Sequence, residues 1–251
     1  MVAVWLLSLK LKNASIVDIV WGLGFVAIAW TGWIIGDGES DRSNLLVAMT
    51  SIWGLRLAAY LYWRNHNKGE DYRYQSMRRR QGRSFALKSL VTVFAFHGIV
   101  MFVVSTPIQL AMTPDDPRVG PLAVVGVVVW GIGLFFETVG DSQLARFKAN
   151  PDNAGKILDE GLWRYTRHPN YFGDFCVWWG LWLVAAETSD ARIVIIGPLV
   201  MTFMLTKVSG VPMLERGLRK RRQGYDTYAD RTSGFFPRRP RPASASGPST
   251  S

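Results

Sequence analysis

Apolar residues along this chain fall into blocks of about twenty, not into the strict alternation or 3.6-residue stripes of a water-soluble fold. A bilayer's hydrocarbon layer is roughly 30 Å thick, and crossing it takes about 20 consecutive apolar residues in a helix. Blocks of that kind cover 15–35, 44–63, 85–111 and 119–139, followed by 172–186 and 192–208, the first of these last two being short. Residues 1–9, "MVAVWLLSL", are apolar but too short to cross alone, and they lack a signal-peptide cleavage pattern. They read as a shortened first helix. The pattern therefore predicts an all-α, polytopic membrane helical bundle with six full spans plus a partial N-terminal one. A Pro/Ser-rich tail, 238–251, is expected to be disordered, which leaves 1–237 as a single transmembrane helical domain.

Composition refines this picture through its loops. Mean hydropathy is only +0.10 although 49% of residues are hydrophobic, because long charged connections dilute the apolar blocks. The net charge of +10 is distributed unevenly. Arg64, Lys68, Arg73, Arg78, Arg79, Arg80 and Arg83 lie in one connection, and Arg146, Lys148, Lys156, Arg164 and Arg167 in another. The chain from 215 onward is again basic, whereas the alternate connections hold single arginines, Arg42, Arg118 and Arg192. Lys and Arg collect on the cytoplasmic side of short loops, so the basic loops and the C-terminus are expected there. Basic segments interleaved with spans suit anionic lipid headgroups and phosphate-bearing ligands; a nucleic-acid partner is not expected. The single cysteine, Cys176, rules out an intrachain disulfide, and with His66, His97 and His168 scattered no metal site is expected.

Ionisable residues at membrane depth are costly and mark candidate sites. Asp18, Arg56, His97, Glu137 and Lys207 fall inside the blocks. Tyr60 stands one helical turn beyond Arg56, and Asp141 one turn beyond Glu137. Lys207 can snorkel to the interface. His97 reads as a packed core residue, and Asp18 with Arg56 as either a structural tie or part of a site. Glu137 and Asp141 repel each other on one helix face and call for donors opposite.

The densest chemistry is "GLWRYTRHPNYFGD", 161–174, directly before an apolar run. Pro169 fixes its own backbone and turns His168 out of helical geometry. The turn holds Asn170, Tyr171 and Asp174 at the mouth of a span. Arg164 and Arg167 offer planar forks for phosphate, and Gly173 permits close backbone approach. An interfacial anchor explains the arginines and aromatics, but not Asn170 and Asp174 one turn apart. No GxGxxG opens a βαβ unit, so a Rossmann domain is not expected.

Together with "DIVWG" (18–22), "WGLRLAAY" (53–60), "EDYRY" (70–74), "ETVGDSQLARFK" (137–148) and "YDTYADRTSGFFP" (225–237), this stretch resembles the membrane steroid 5α-reductase type enzymes. The likeness is closest to the bacterial branch known as domain of unknown function 1295. The Arg-His-Pro-x-Tyr-x-Gly pattern is also similar to isoprenylcysteine and phospholipid methyltransferases, which bind S-adenosylmethionine. The resemblance implies NADPH as cofactor, held in the half from about 119 to 237. It implies cofactor contacts from Glu137, Asp141, Arg146, Lys148, Arg164, Tyr165, Arg167, His168, Asn170, Tyr171, Asp174 and Tyr228. The steroid enzymes carry Asn where this chain has Glu137.

The implied activity is an oxidoreductase step on a carbon–carbon double bond conjugated to a carbonyl, in a lipid-like enone such as a steroid. Steroid enzymes use a Glu on an early span and a Tyr on the next; Asp18 and Tyr60 (or Tyr62) are the expected counterparts, with Arg56 as an alternative oxyanion partner. The rival readings are an S-adenosylmethionine-dependent methyltransferase of a lipid or prenylcysteine substrate, and a non-enzymatic lipid-binding or transport protein.

Overall fold

Every regular element in the computed structural model, which describes residues 1–36, 40–112, 119–208 and 210–242, is helical; a lone parallel bridge joins Thr166 to Ser233. Arg118 and the tail beyond 242 lie outside the described residues. Among the described residues, five helices are long and apolar enough to cross a membrane: Ile16–Ile35, Asp41–Asn65, Tyr72–Leu110, Pro121–Ala149 and Asp190–Val208. They coincide with five of the six expected spans. The sixth falls on a helix of 17 residues, about 25 Å at 1.5 Å per residue.

The helices gather into two compact units, Met1–Val128 with Trp179–Val200, and Val129–Trp178 with Met201–Ser251. In the first unit, α1 (Val2–Leu11) stops at Lys12, which takes the left-handed conformation at φ 51°. α2 (Ile16–Ile35) packs most extensively against α3 (Asp41–Asn65), whose N-terminus is capped by the Ser40 hydroxyl accepting from the Ser43 N–H at 3.0 Å. The two backbones meet where Gly22 faces Gly54: a Cβ on Gly54 would lie 2.6 Å from the Gly22 carbonyl oxygen. Small residues at such crossings allow the close approach on which helix pairing in lipid depends. Phe25 and Trp53, both fully buried, fill the seam beside it.

The basic connection after α3 is not a plain loop. Asp71 caps α4 (Tyr72–Gln81) by accepting from the Arg73 N–H at 2.9 Å. After Gly82 the chain continues through α5 (Phe85–Ser89), a π-helical turn (Leu90–Ala95) and α6 (Phe96–Leu110). Ala14, Val17, Tyr74, Phe85, Val93 and Phe94 form a buried cluster that ties α4 to the start of α2. Outward-facing Ile34, Ile35, Ile99, Phe102 and Val124 are more than half exposed, as lipid-facing side chains are.

The second unit is built on the long helix α7 (Pro121–Ala149) and on α8 (Pro169–Ala185), each of which starts or ends in the first unit. Their closest crossing is again glycine on glycine: a Cβ on Gly173 would lie 2.6 Å from the Gly133 carbonyl oxygen and 2.7 Å from the Glu137 nitrogen. α9 (Ser189–Ile193) and α10 (Ile196–Phe203) lead into a second π-helical turn (Met204–Val208), then α11 (Val211–Arg221) and α12 (Tyr225–Arg231). Cys176, on α8, is buried. Residues 238–241 are described and held: the Arg238 N–H donates to the Tyr165 carbonyl and the Arg241 N–H to the Arg231 carbonyl, both at 2.9 Å.

Candidate functional site

The polar turn expected at 161–174 is ordered from below by α7 and from above by the chain after 211. Trp163 donates its indole N–H to the Gly140 carbonyl of α7 at 3.1 Å, and Gln143 accepts from the Leu162 N–H at 3.0 Å. Gly161 fits at φ 56° against the Gln143 side chain, a place a Cβ could not occupy. From the other side, Tyr228 donates to the Trp163 carbonyl at 2.5 Å, Thr166 to the Phe235 carbonyl at 2.7 Å, and the Arg167 N–H to the Ser233 carbonyl at 2.9 Å.

At the heart of the turn, Arg167 and His168 share one acceptor. Glu215 Oε1 lies 2.8 Å from Arg167 Nε and 2.7 Å from its terminal nitrogen, and 3.2 Å from His168 Nε2. The other terminal nitrogen of Arg167 donates to the Ala229 and Thr232 carbonyls at 2.7 and 2.6 Å. The fork expected to meet phosphate is therefore used to fasten the turn to the chain around α11 and α12. Burial raises the Glu215 pKa, but hydrogen bonds from His168 and Arg167 and their charges outweigh it and hold the carboxyl below its usual range. Tyr228 titrates well above its ordinary value, first through burial and then through the neighbouring Tyr225.

Beyond Pro169 the side chains turn to α7. Asn170 donates its amide to Asp141 Oδ1 at 3.3 Å and accepts from the Tyr171 N–H at 3.1 Å. Tyr171 stacks on His168 at 5.5 Å with an 11° tilt. Glu137 and Asp141 are 3% and 5% exposed, one turn apart on α7, where the Gly133–Gly173 crossing brings α8 alongside. Asp174 follows Gly173 on α8 and is half-buried. The structure thus brings Glu137, Asp141 and Asn170 together, with His168 and Tyr171 stacked behind Asn170. It leaves Arg146 and Lys148 exposed on the last turn of α7. Arg164 and Tyr228 line a separate cavity of about 450 Å³ with Asp159, Glu160 and Arg231. The Tyr165 ring is exposed, and its backbone carbonyl serves the Arg238 contact.

The first unit holds a different polar centre. Asp18 accepts from Arg73 at 2.6 Å and from the Tyr74 hydroxyl at 2.8 Å. Asp18 is thus tied to Arg73 and Tyr74, where a tie to Arg56 was one of the two readings of the sequence. The reason is geometric: α4 folds back over the start of α2 and delivers both side chains from a connection 55 residues on. Arg56 instead sits over the Tyr60 ring at 5.6 Å, with Arg64 at 5.7 Å from the same ring. His97 packs edge-on against Trp21 at 5.6 Å and bonds the Val93 carbonyl at 2.6 Å inside the π-helical turn, as a packed core histidine does. Nearby, Glu70 accepts from the Ala14 N–H and from Arg78 at 2.7 and 2.8 Å; burial raises its pKa, but these bonds and the Arg78 charge hold the carboxyl low. Glu215 was hidden in sequence because it sits in a basic, polar stretch with no apolar frame, and Arg73 and Tyr74, although part of "EDYRY", carry no local sign that they face Asp18.

An all-helical chain with five helices fit to cross a bilayer, and buried acids meeting an amide at the start of α8, defines a multi-pass membrane protein with an internal polar site. It belongs to the family described as "Protein of unknown function (DUF1295)", which matches residues 4–232. An uncharacterized protein of Schizosaccharomyces pombe is 24% identical over 213 residues, covering 74% of this chain and 62% of the yeast protein. A probable O-methyltransferase, ustE, of Ustilaginoidea virens is 33% identical over 82 residues, 33% of this chain and 28% of that protein. The chain spans less than two thirds of the length of either relative. No solved structure gives a significant match.

Proposed function

We propose that this chain is a membrane-embedded, NADPH-dependent reductase of a carbon–carbon double bond conjugated to a carbonyl in a lipid-like substrate, with its basic loops and C-terminus in the cytoplasm. The observation that carries the reading is the Asn170–Asp141 hydrogen bond beside buried Glu137. An amide and two carboxylates are a donor–acceptor set for a carboxamide and ribose hydroxyls, which is the chemistry of a nicotinamide nucleoside. The same residues are a poor receptor for phosphate. That role suits Arg164, which is exposed and whose guanidinium has no partner among the described residues.

When bound, NADPH supplies a hydride. Asn170, Asp141 and Asp174 would orient its nicotinamide end, and the close α7–α8 crossing keeps water out from behind them. Reduction of an enone also needs a donor for the developing enolate oxygen. Asp18, Tyr60 and Arg56 are the groups that the resemblance offers for it; the Tyr74 O–H is already committed to the Asp18 carboxylate.

A second reading, an S-adenosylmethionine-dependent methyltransferase of a lipid or prenylcysteine, is favoured by the similarity to the probable O-methyltransferase. Amide and carboxylate groups also suit the ribose of that cofactor. Melting of the purified protein against titrated NADPH, NADH and S-adenosylmethionine separates the two, since stabilisation grows with the logarithm of ligand concentration over Kd. The expected result is a rise with NADPH and none with S-adenosylmethionine, together with NADPH oxidation by a 3-oxo-4-ene steroid that is lost in Asn170→Leu. Stabilisation by S-adenosylmethionine alone would establish the second reading.

A further inference from the structure

The acceptor shared by Arg167 and His168 lies outside the polar turn. Glu215 comes from α11, 47 residues beyond His168, in a segment otherwise dominated by arginine. Its Oε1 receives both Arg167 and His168, and its side chain is 15% exposed against 13% for Arg167 and 2% for His168. A carboxylate only accepts, so His168 must present an N–H at Nε2 to make the 3.2 Å contact. In the neutral form of the ring the lone pair is then at Nδ1. Its plane is fixed as well, because the opposite partner is the Tyr171 ring, stacked at 5.5 Å. Tyr171 in turn donates its N–H to the Asn170 side-chain carbonyl, and this leaves the Asn170 amide N–H₂ pointing at Asp141. One carboxylate is thus linked by contacts to His168, Tyr171, Asn170 and Asp141 in succession.

We propose that Glu215 is a positioning residue: through His168 it fixes the imidazole tautomer and ring plane, and through the His168–Tyr171 stack it sets the orientation of the Asn170 amide at the candidate cofactor site. The chemistry is that of a carboxylate orienting a histidine through one ring nitrogen so that a neighbouring group is presented in one geometry. The ligand consequence rests on the reductase reading; the tautomer consequence does not.

The test uses the full-length protein in detergent or lipid nanodiscs, labelled with ¹⁵N-histidine. The chain has 3 histidines, so the His168 signals are assigned by comparison with His168→Asn. In the unaltered protein the ¹⁵N shifts are expected to report one Nε2–H form of His168. In Glu215→Gln, which keeps size and one acceptor oxygen but drops the charge, the signals are expected to move to a mixture of tautomers. NADPH affinity, read from the melting shift, is expected to weaken about tenfold, the change that loss of one oriented hydrogen bond brings. Glu215→Asp keeps the charge and is expected to recover part of both readouts, which a simple loss of packing would not allow. If Glu215→Gln melts lower but leaves the His168 tautomer and the NADPH affinity within twofold of the unaltered protein, the residue only fastens the fold and the proposal fails. If the unaltered protein binds no NADPH, the reductase reading fails separately, and the tautomer readout still decides the role of Glu215. Should Glu215→Gln not fold, Glu215→Asp, whose carboxylate stands one methylene farther from the ring, is read against the unaltered protein: a partial shift of the His168 tautomer with weaker NADPH binding supports the proposal, and a folded variant showing neither overturns it.

Discussion

Arg167 shows how a residue can be correctly singled out and still do something other than expected. The sequence marks it as a phosphate fork, yet its guanidinium donors are directed to Glu215 and to the carbonyls of Ala229 and Thr232. Removing one partner of such a half-buried pair is costlier than the pair is worth, because a charge is left without its counter-ion. The pH dependence follows from Glu215. Its folded pKa lies below the ordinary 4.5, so the unfolded chain takes up the proton first as pH falls. Its contribution to stability is full above about 4.5 and is lost as pH drops through the lower folded value. The difference in denaturation midpoint between the unaltered protein and Glu215→Gln is expected to shrink as pH falls below 4.5. A difference that grows in acid would contradict the depressed carboxyl. Asn170, Asp141 and His168 were legible because the motif places them, but Glu215 was not, since a lone acid among arginines reads as a solvated charge until the fold shows what it faces.

Whole apolar helices were the most legible elements, because lipid leaves the backbone few choices and a long apolar run must be helical. The polar helix α4 was not legible: "YRYQSMRRRQ" has no apolar stripe to give a period, and its helix depends on the Asp71 cap and on burial of Tyr74. The two π-helical turns were equally silent, being matters of hydrogen-bond register more than of composition. Gly173 was expected to allow a close approach, and the structure identifies what approaches: the α7 backbone at Gly133 and Glu137. Backbone cannot yield as a flexible side chain can. Gly173→Ala is therefore expected to cost about 1–3 kcal/mol of stability, the range for forced overpacking, seen as a lower melting temperature. Alanine at Gly131, which has open space around its α-carbon, serves as the control and is expected to leave the melting temperature nearly unchanged.

For the molecule in its membrane, charge geography and helix length can be set against each other. α8, with 17 residues, is about 5 Å short of the roughly 30 Å layer. A shortfall of that size is accommodated by local thinning of the bilayer or by snorkelling flanks, at a modest cost. Because the single native cysteine is buried, an introduced one is the accessible thiol in a labelling experiment. Cysteines placed singly at Arg80, Arg146 and Arg216 are all expected to react with a membrane-impermeant maleimide from the cytoplasmic face of sealed vesicles. Reaction of the Arg80 and Arg146 positions from one face and the Arg216 position from the other would mean that α8 does not cross. The polar turn also has a timetable. Its partners are Glu215, 47 residues downstream of His168, and the Phe235 carbonyl, 69 residues downstream of Thr166. A ribosome threads Arg167 and His168 into the translocon long before those acceptors exist, so the motif must wait, unlatched, while the following helices are inserted. A nascent chain halted near 210 would carry all the motif residues and their contacts to α7, yet lack the acceptors that fasten Thr166, Arg167 and His168, so a fully held turn is a late event in biogenesis.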